Sequence, residues 1–414
     1  MTPNDLVKVD DDFMAPAERI LHDYVRGKRN VKGGLTDSEF LRLGVTRVIE
    51  GDESGRAFLQ SLADRVDTDL AVARSTWFDA LHSKRRLGVL EEMAAQSYRH
   101  FEKELSGRDR LQEFPDLRDY PVWAVDGHQI EHACHSPRNP KGEHVASGVT
   151  FGLCLHTGLV RPLARFKGDA VQRHEWPVFK ANWRKWHDGE PRLKMPIVVA
   201  DPAYVDNQYW VLEKIEGQAI VITREKDNMK PKVYGHNPFN PNDPVNAGVE
   251  GDELVGYSDA ALRRIRYRDP KTGERFIFIT TTNVLRPGVV AVLYFLRWRI
   301  EKMYDVFKNK LKEQKAWAVG ESATLIQSHL IALVHNLLTL FLVRLEKRGI
   351  REEKVEKRIA ERNAKQPPPP SQQMVQGFTI LTCQFIRLLR NCLRYKTPWI
   401  DALPLFKARL ENYI

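Results

Sequence analysis

Two short apolar runs, VWAV at 122–125 and IVVA at 197–200, each end on an aspartate, Asp126 and Asp201. Runs of this length read as buried strands, and a carboxylate at the end of a buried strand loses hydration unless something compensates it. A divalent cation is one compensator. The ordinary alternative is that the aspartate caps the turn that follows. Either aspartate alone settles nothing, so the rest of the chain has to decide.

The chain has 414 residues, more than one core of ordinary size holds, which predicts two or three structural units. A hydrophobic content of 42% with 29% charged residues is that of a soluble globular protein. The formal net charge is +10 and the pI about 9.3, which fits a polyanionic partner such as nucleic acid. A basic enzyme without such a partner fits equally. The four cysteines, Cys134, Cys154, Cys383 and Cys392, are too few and too scattered for a disulfide framework and point to a reducing compartment. The start, MTPNDLVKVDDDF, has no apolar signal region. The longest apolar run, LIALVHNLLTLFLV at 330–343, contains His335, Asn336 and Thr339 and falls short of the ~20 residues of a spanning helix, so it reads as a core helix. The expected location is cytoplasmic.

Residues 1–115 carry helical periodicity without strand signals, with a basic cluster after STWFDALHS that suits a DNA-facing unit or simply a solvated face. From 116 to 226 the pattern is α/β. VWAVDG, then GVTFGLCLHT and GLVRPLARF about a turn, read as strands, 171–187 as a helix, MPIVVADPAY as a strand, NQYWVLEKIEG as a helix and QAIVITREK as a strand. Residues 227–273, rich in Asn, Pro, Gly and charge, read as a β-rich insertion, and 274–345 as a second, mostly helical part of the core. Residues 346–414 combine a basic stretch, the polyproline linker KQPPPPSQQ and a last helical segment. That segment suits dimerisation, DNA contact or packing on the core.

The stretch YFLRWRIEKMYDVFK (294–308) places Tyr294, Arg297, Glu301 and Lys308 on one helical stripe. At 3.6 residues per turn they fall at about 0°, 300°, 340° and 320°. An aromatic hydroxyl, a guanidinium, a carboxylate and an ammonium therefore share a face, which an i,i+4 ion pair of Arg297 with Glu301 would also explain. Asp305 falls on the same face.

Tyr-x-x-Arg-x-x-x-Glu-x-x-x-x-x-x-Lys, met here without a mismatch, resembles the Y-R-E-K signature of DDE transposases from bacterial insertion sequences. "AVDG" and "ADPAY" look like that family's first and second acid motifs, and "ITTTNVL" and, less specifically, "STWFDALHSKRRL" are also similar to it. The resemblance covers roughly 70–345. It implies an RNase H-like mixed-sheet core with a β insertion before the third acid. It also implies a triad of Asp126, Asp201 and Glu301 that binds two Mg²⁺ ions, with Mn²⁺ able to substitute. Asp126 would bridge the ions, and Asp201 and Glu301 would each complete one site, with Asp305 as a rival ligand. Arg297 and Lys308 would grip phosphates, and Tyr294 would bond a phosphate or place the helix. The partners implied are double-stranded DNA, both terminal inverted repeats and target, with the protein acting as a homodimer. The reaction implied is cleavage at transposon ends followed by strand transfer. Relatives that form end hairpins stack a flipped base on an aromatic of the insertion, where this chain offers Tyr234 and Phe239.

Two alternatives belong to other classes. One is a transposase-derived DNA-binding protein that has lost catalysis. The other is a zinc hydrolase built on His128-x-x-Glu131-His132, which requires that motif to lie on a helix.

Overall fold

The computed structural model describes residues 3–24, 34–51, 54–63, 72–105, 109–133, 146–168, 175–187, 194–257, 260–347 and 382–393, with Ser136, Arg138, Gly142 and Glu361. The polyproline linker, Cys134 and most of 346–414 lie outside them.

The helical periodicity of the first hundred residues becomes α1 (Pro3–Tyr24), α2 (Asp37–Glu50), α3 (Gly55–Ala63), α4 (Arg74–Leu81) and α5 (Lys84–Leu105). Thr36 and Glu39 start α2 with a reciprocal capping box. The STWFDAL stretch is α4, and its Trp77 is fully buried between Phe40 and Phe58. Arg47, also buried, stacks 4.1 Å over the Trp317 ring and ties these helices to the downstream chain. Of the basic cluster, Arg85 binds both Asp37 oxygens and Arg86 donates to the Leu35 carbonyl, so two of its cations fasten the start of α2.

Among the described residues nine strands form one mixed sheet, ordered β3-β2-β1-β4-β5-β9-β8-β7-β6. β1 (Val122–Ile130), β2 (Ala146–Cys154) and β3 (Val160–Gly168) are antiparallel neighbours; α6 (Glu175–His187) then leads to β4 (Ile197–Ala200), parallel to β1. α7 (Asn207–Ile215) leads to β5 (Ile220–Arg224), parallel to β4. β6 (Lys232–His236), β7 (Val249–Tyr257), β8 (Ala260–Arg268) and β9 (Arg275–Thr280) extend the same sheet antiparallel from β5. A five-strand core of this order with helices on it is the RNase H-like arrangement that the resemblance implies.

The arginines of β8 are held by acids of β7 and by Glu225, just past the end of β5. Arg263 pairs with Asp252, Arg264 with Glu225 and Glu253, Arg266 with Glu253 and Arg268 with Glu250. They form a cross-strand charge ladder. Arg286 joins Asp116 to Asp243 at 2.7 and 2.8 Å just where α8 (Pro287–Leu296) begins. A Cβ on Gly288 would lie 1.8 Å from the Val245 carbonyl oxygen, so the insertion seats against α8 only because this residue is glycine.

The signature segment departs from the single α-helix expected. α8 passes through Arg297, whose N–H is shared between the Leu293 and Tyr294 carbonyls at 3.2 Å each, into α9 (Trp298–Asp305), and a π-helical turn covers Val306–Lys310. α10 (Glu321–Lys347) is long and apolar enough to cross a membrane, yet its apolar window is wholly buried inside the protein. It lies between the sheet and the N-terminal helices. The polar residues that interrupt it have backbone partners: Asn336 accepts from the Val160 N–H at 2.8 Å and donates to the Val160 carbonyl at 2.9 Å, and His335 Nε2 contacts the Gly158 carbonyl at 3.1 Å. The helix over 382–393 packs Phe385 against Phe13 and Phe341, and Arg390 donates to the Ile49 and Lys310 carbonyls. This part of the C-terminal segment packs on the core.

Replacing Asn336 by Leu orphans both backbone groups of Val160 in a dry interface, each orphan costing about 1–3 kcal/mol. The expected loss, about 2–5 kcal/mol in urea unfolding, contrasts with near-neutrality if the helix held by apolar packing alone.

Candidate active site

The two strand-end acids meet through register. β1 and β4 are parallel with Val125 opposite Ala200, so one further residue sets Asp126 beside Asp201 at the same end of adjacent strands. Neighbouring strands lie about 4.8 Å apart, and paired residues of a parallel ladder point to the same face. Asp201 is also the cap of the turn after β4, accepting from the Ala203 N–H at 2.7 Å, while its carbonyl takes the Thr223 hydroxyl at 3.0 Å. Capping and placement beside Asp126 are therefore done by one side chain. Asp126 accepts from the Gly127 N–H at 2.9 Å.

Burial pushes the Asp126 carboxyl up to about 7. The Arg297 guanidinium and the Gly127 N–H work against that rise, and Asp201 and Glu175 add to it. For Arg297 itself, burial would lower the guanidinium, but Tyr294, Glu301, Asp126 and Asp201 outweigh burial and hold it above its ordinary value. Arg297 is thus the internal counter-ion of the site. Its Nη2 donates to Glu301 Oε1 at 2.9 Å, its charge faces both aspartates, and its buried Nε has no hydrogen-bond partner. Tyr294 lies under that guanidinium, 5.6 Å from ring centroid to charge, and packs on Phe278.

A cleft of about 390 Å³ opens over this region, lined among others by Asp126, Asp201, Glu175, Tyr204, Tyr304 and Lys308. The π turn places Lys308 there, exposed at the rim. Extra-residue turns of this kind recur at functional sites. Asp305 is exposed and accepts from the Asn309 amide at 2.6 Å; it does not line the cleft.

Tyr204, Tyr304 and Glu175 went unflagged in the sequence. Tyr304 donates to the Asp126 carbonyl at 2.7 Å, so α9 is bonded to β1 at the first acid itself. Burial and the carboxylates around them push both phenols well above their usual range. "ADPAY" did contain Tyr204, but an aromatic after a turn carries no functional mark.

The H-x-x-E-H stretch lies on β1 and its exit. His128 is a strand residue, buried, stacked 4.6 Å on Tyr304, with Nε2 3.0 Å from Oε2 of the buried Glu313. Glu131 makes an isolated bridge to Lys315, and His132 is exposed. Two histidines on one helix face, which the zinc reading needs, do not occur here. Tyr234 is exposed on β6, and Phe239 is half-buried in the loop beyond it.

Hard carboxylate oxygens around a desolvated, partly protonated Asp126 suit a divalent cation in kind. Among the described residues no three His, Cys, Asp or Glu side chains stand together as a ready ligand cluster. Glu301 pairs with Arg297 and does not line the cleft.

Because the folded-state value of Asp126 exceeds the unfolded one, the stability tied to its neutral form is full below about pH 4 and is lost as pH rises through 7. In metal-free buffer Asp126→Asn should therefore unfold later than the parent at pH 8, by on the order of 2–4 kcal/mol, with the gap closing toward pH 5. Thermal unfolding across that range measures it, and an equal gap at both ends would contradict the assignment.

No curated protein sequence matches the chain. A protein-family model described as "Transposase DDE domain" matches residues 119–337, from just before β1 to within α10, which is more than half of the chain and includes both strand-end acids and the whole signature segment. With an RNase H-like sheet, two acids in register and a third on the helix bonded to the first, the chain belongs to the DDE transposase family.

Proposed function

We propose that this protein cuts DNA at the ends of a transposable element and joins those ends to target DNA, as one of the insertion-sequence transposases with the Y-R-E-K signature. Family membership supports DNA binding, nuclease or transposition chemistry and a divalent metal in general. The observation that carries the finer reading is the β1–β4 register, which sets Asp126 beside Asp201, with Arg297 linking both to Glu301. Asp126, Asp201 and Glu301 would hold the metal, two Mg²⁺ ions or Mn²⁺ in their place. When bound, the metal would supply activation of the attacking oxygen, from water or a DNA 3′-hydroxyl, and stabilisation of the leaving one.

The chain's own residues supply the rest. Arg297, with a buried Nε donor that has no hydrogen-bond partner and Nη2 paired with Glu301, would offer its guanidinium to a scissile-region phosphate. Lys308, at the rim of the cleft, meets a neighbouring phosphate as a point charge. Tyr294 under Arg297 limits the orientations that guanidinium adopts. Tyr304 fixes the Asp126 peptide against α9, so the first acid and the signature helix move as a unit. The helical 1–115 region is the natural candidate for sequence-specific DNA contacts. Two ends cut in one event require two active sites, hence a homodimer on DNA.

With DNA carrying the element's terminal repeats, Asp126→Ala, Asp201→Ala and Glu301→Ala should each lower Mg²⁺-dependent cleavage by about 10³-fold or more, with DNA affinity within severalfold of the parent. Full activity in any of the three removes that residue from the triad. Lys308→Ala should leave the metal requirement unchanged, weaken DNA binding and reduce the slope of log affinity against log salt by about 1. An unaltered slope rules out its phosphate contact.

A further inference from the structure

We infer that Glu175, the first described residue of α6, is a fourth carboxylate of this centre and ligates the divalent cation beside Asp126 and Asp201. The inference rests on the proposed reading and adds one residue to it.

Its position is set by Gly127, next after Asp126, and by Tyr204, three residues after Asp201. An ideal Cβ on Gly127 would fall 2.3 Å from the Glu175 carboxyl carbon and 2.4 and 2.6 Å from its oxygens, so this carboxylate occupies the space that any other side chain after Asp126 would fill. Tyr204, in the turn that Asp201 caps, donates to Glu175 Oε2 at 3.2 Å. Glu175 lines the same cleft as both acids and Lys308. The glycine of "AVDG" thereby acquires a function: it is the cradle for an acid from another element.

A glutamate in the first turn of a helix gains from the helix dipole while pointing to solvent. Glu175 is instead turned into the cleft that Asp126 and Asp201 also line. A bound cation compensates carboxylates gathered in this way. Their oxygens are the hard donors that Mg²⁺ and Mn²⁺ prefer.

The test uses Mn²⁺ alone as probe, titrated into the full-length chain in the absence of DNA and followed by loss of the free-ion paramagnetic resonance signal. Glu175→Gln should raise the half-saturating Mn²⁺ concentration about tenfold or more, with the thermal midpoint in chelator unchanged or raised. Asp126→Asn is run in parallel. Weakened binding in Asp126→Asn with parental binding in a folded Glu175→Gln overturns the inference and leaves the proposed active site standing. Parental binding in both overturns the active site and the inference with it. Should Glu175→Gln fail to fold, Gly127→Ala decides, since its methyl group displaces the carboxylate without removing it. Parental Mn²⁺ binding in a folded Gly127→Ala overturns the inference, and the same loss as expected for Glu175→Gln supports it. Where both fold, the double variant should bind no worse than either single one, because the two act on one ligand.

Discussion

Two aspartates held side by side at the ends of buried parallel strands set the terms for everything around them. Parallel pairing of VWAV with IVVA buries both strands and leaves no freedom in where the next residues go. Desolvation then holds one of the two carboxyls near neutrality, up to about 7, and the fold has to place positive charge nearby or accept a proton. Arg297 is the charge the chain itself provides. It is brought there by α8, whose start is fixed through Arg286 and Gly288 against the insertion and the segment before β1. The remote insertion therefore supports the site by anchoring the helix that carries its counter-ion.

A guanidinium serves this purpose better than an ammonium would. Its planar fork bonds Glu301 with one nitrogen and leaves the buried Nε without a hydrogen-bond partner, so under the proposed function neutralising the acids and receiving a phosphate would not be exclusive tasks. The Arg297–Glu301 pair joins a buried guanidinium to a half-exposed carboxylate. Tyr304 holds the register between α9 and Asp126 independently of that pair, because its bond is to the backbone carbonyl of Asp126 and not to the carboxylate.

Much of this was legible because it is periodic or local. Strand-length apolar runs gave β1 and β4, the NQYWVLEKIEG pattern closed by glycine gave α7, and the buried run 330–343 became α10, with His335 and Asn336 tied to Gly158 and Val160. Tyr294, Arg297, Glu301 and Lys308 were found by spacing, although the path between them is two α segments and a π turn. Backbone hydrogen bonding of that kind leaves no mark in the spacing of side chains. Glu175 was invisible because nothing local distinguishes an acid turned inward, and the clue, a glycine after Asp126, becomes meaningful only when α6 is packed above it.

The most direct measurement is anomalous diffraction from the full-length protein bound to an uncleavable terminal-repeat duplex with Mn²⁺. The account predicts a manganese peak about 2.2 Å from carboxylate oxygens of both Asp126 and Asp201, with Glu301 turned from Arg297 to the metal and the guanidinium on a phosphate. Manganese bound away from Asp126, or the Arg297–Glu301 pair intact beside a loaded site, would contradict it.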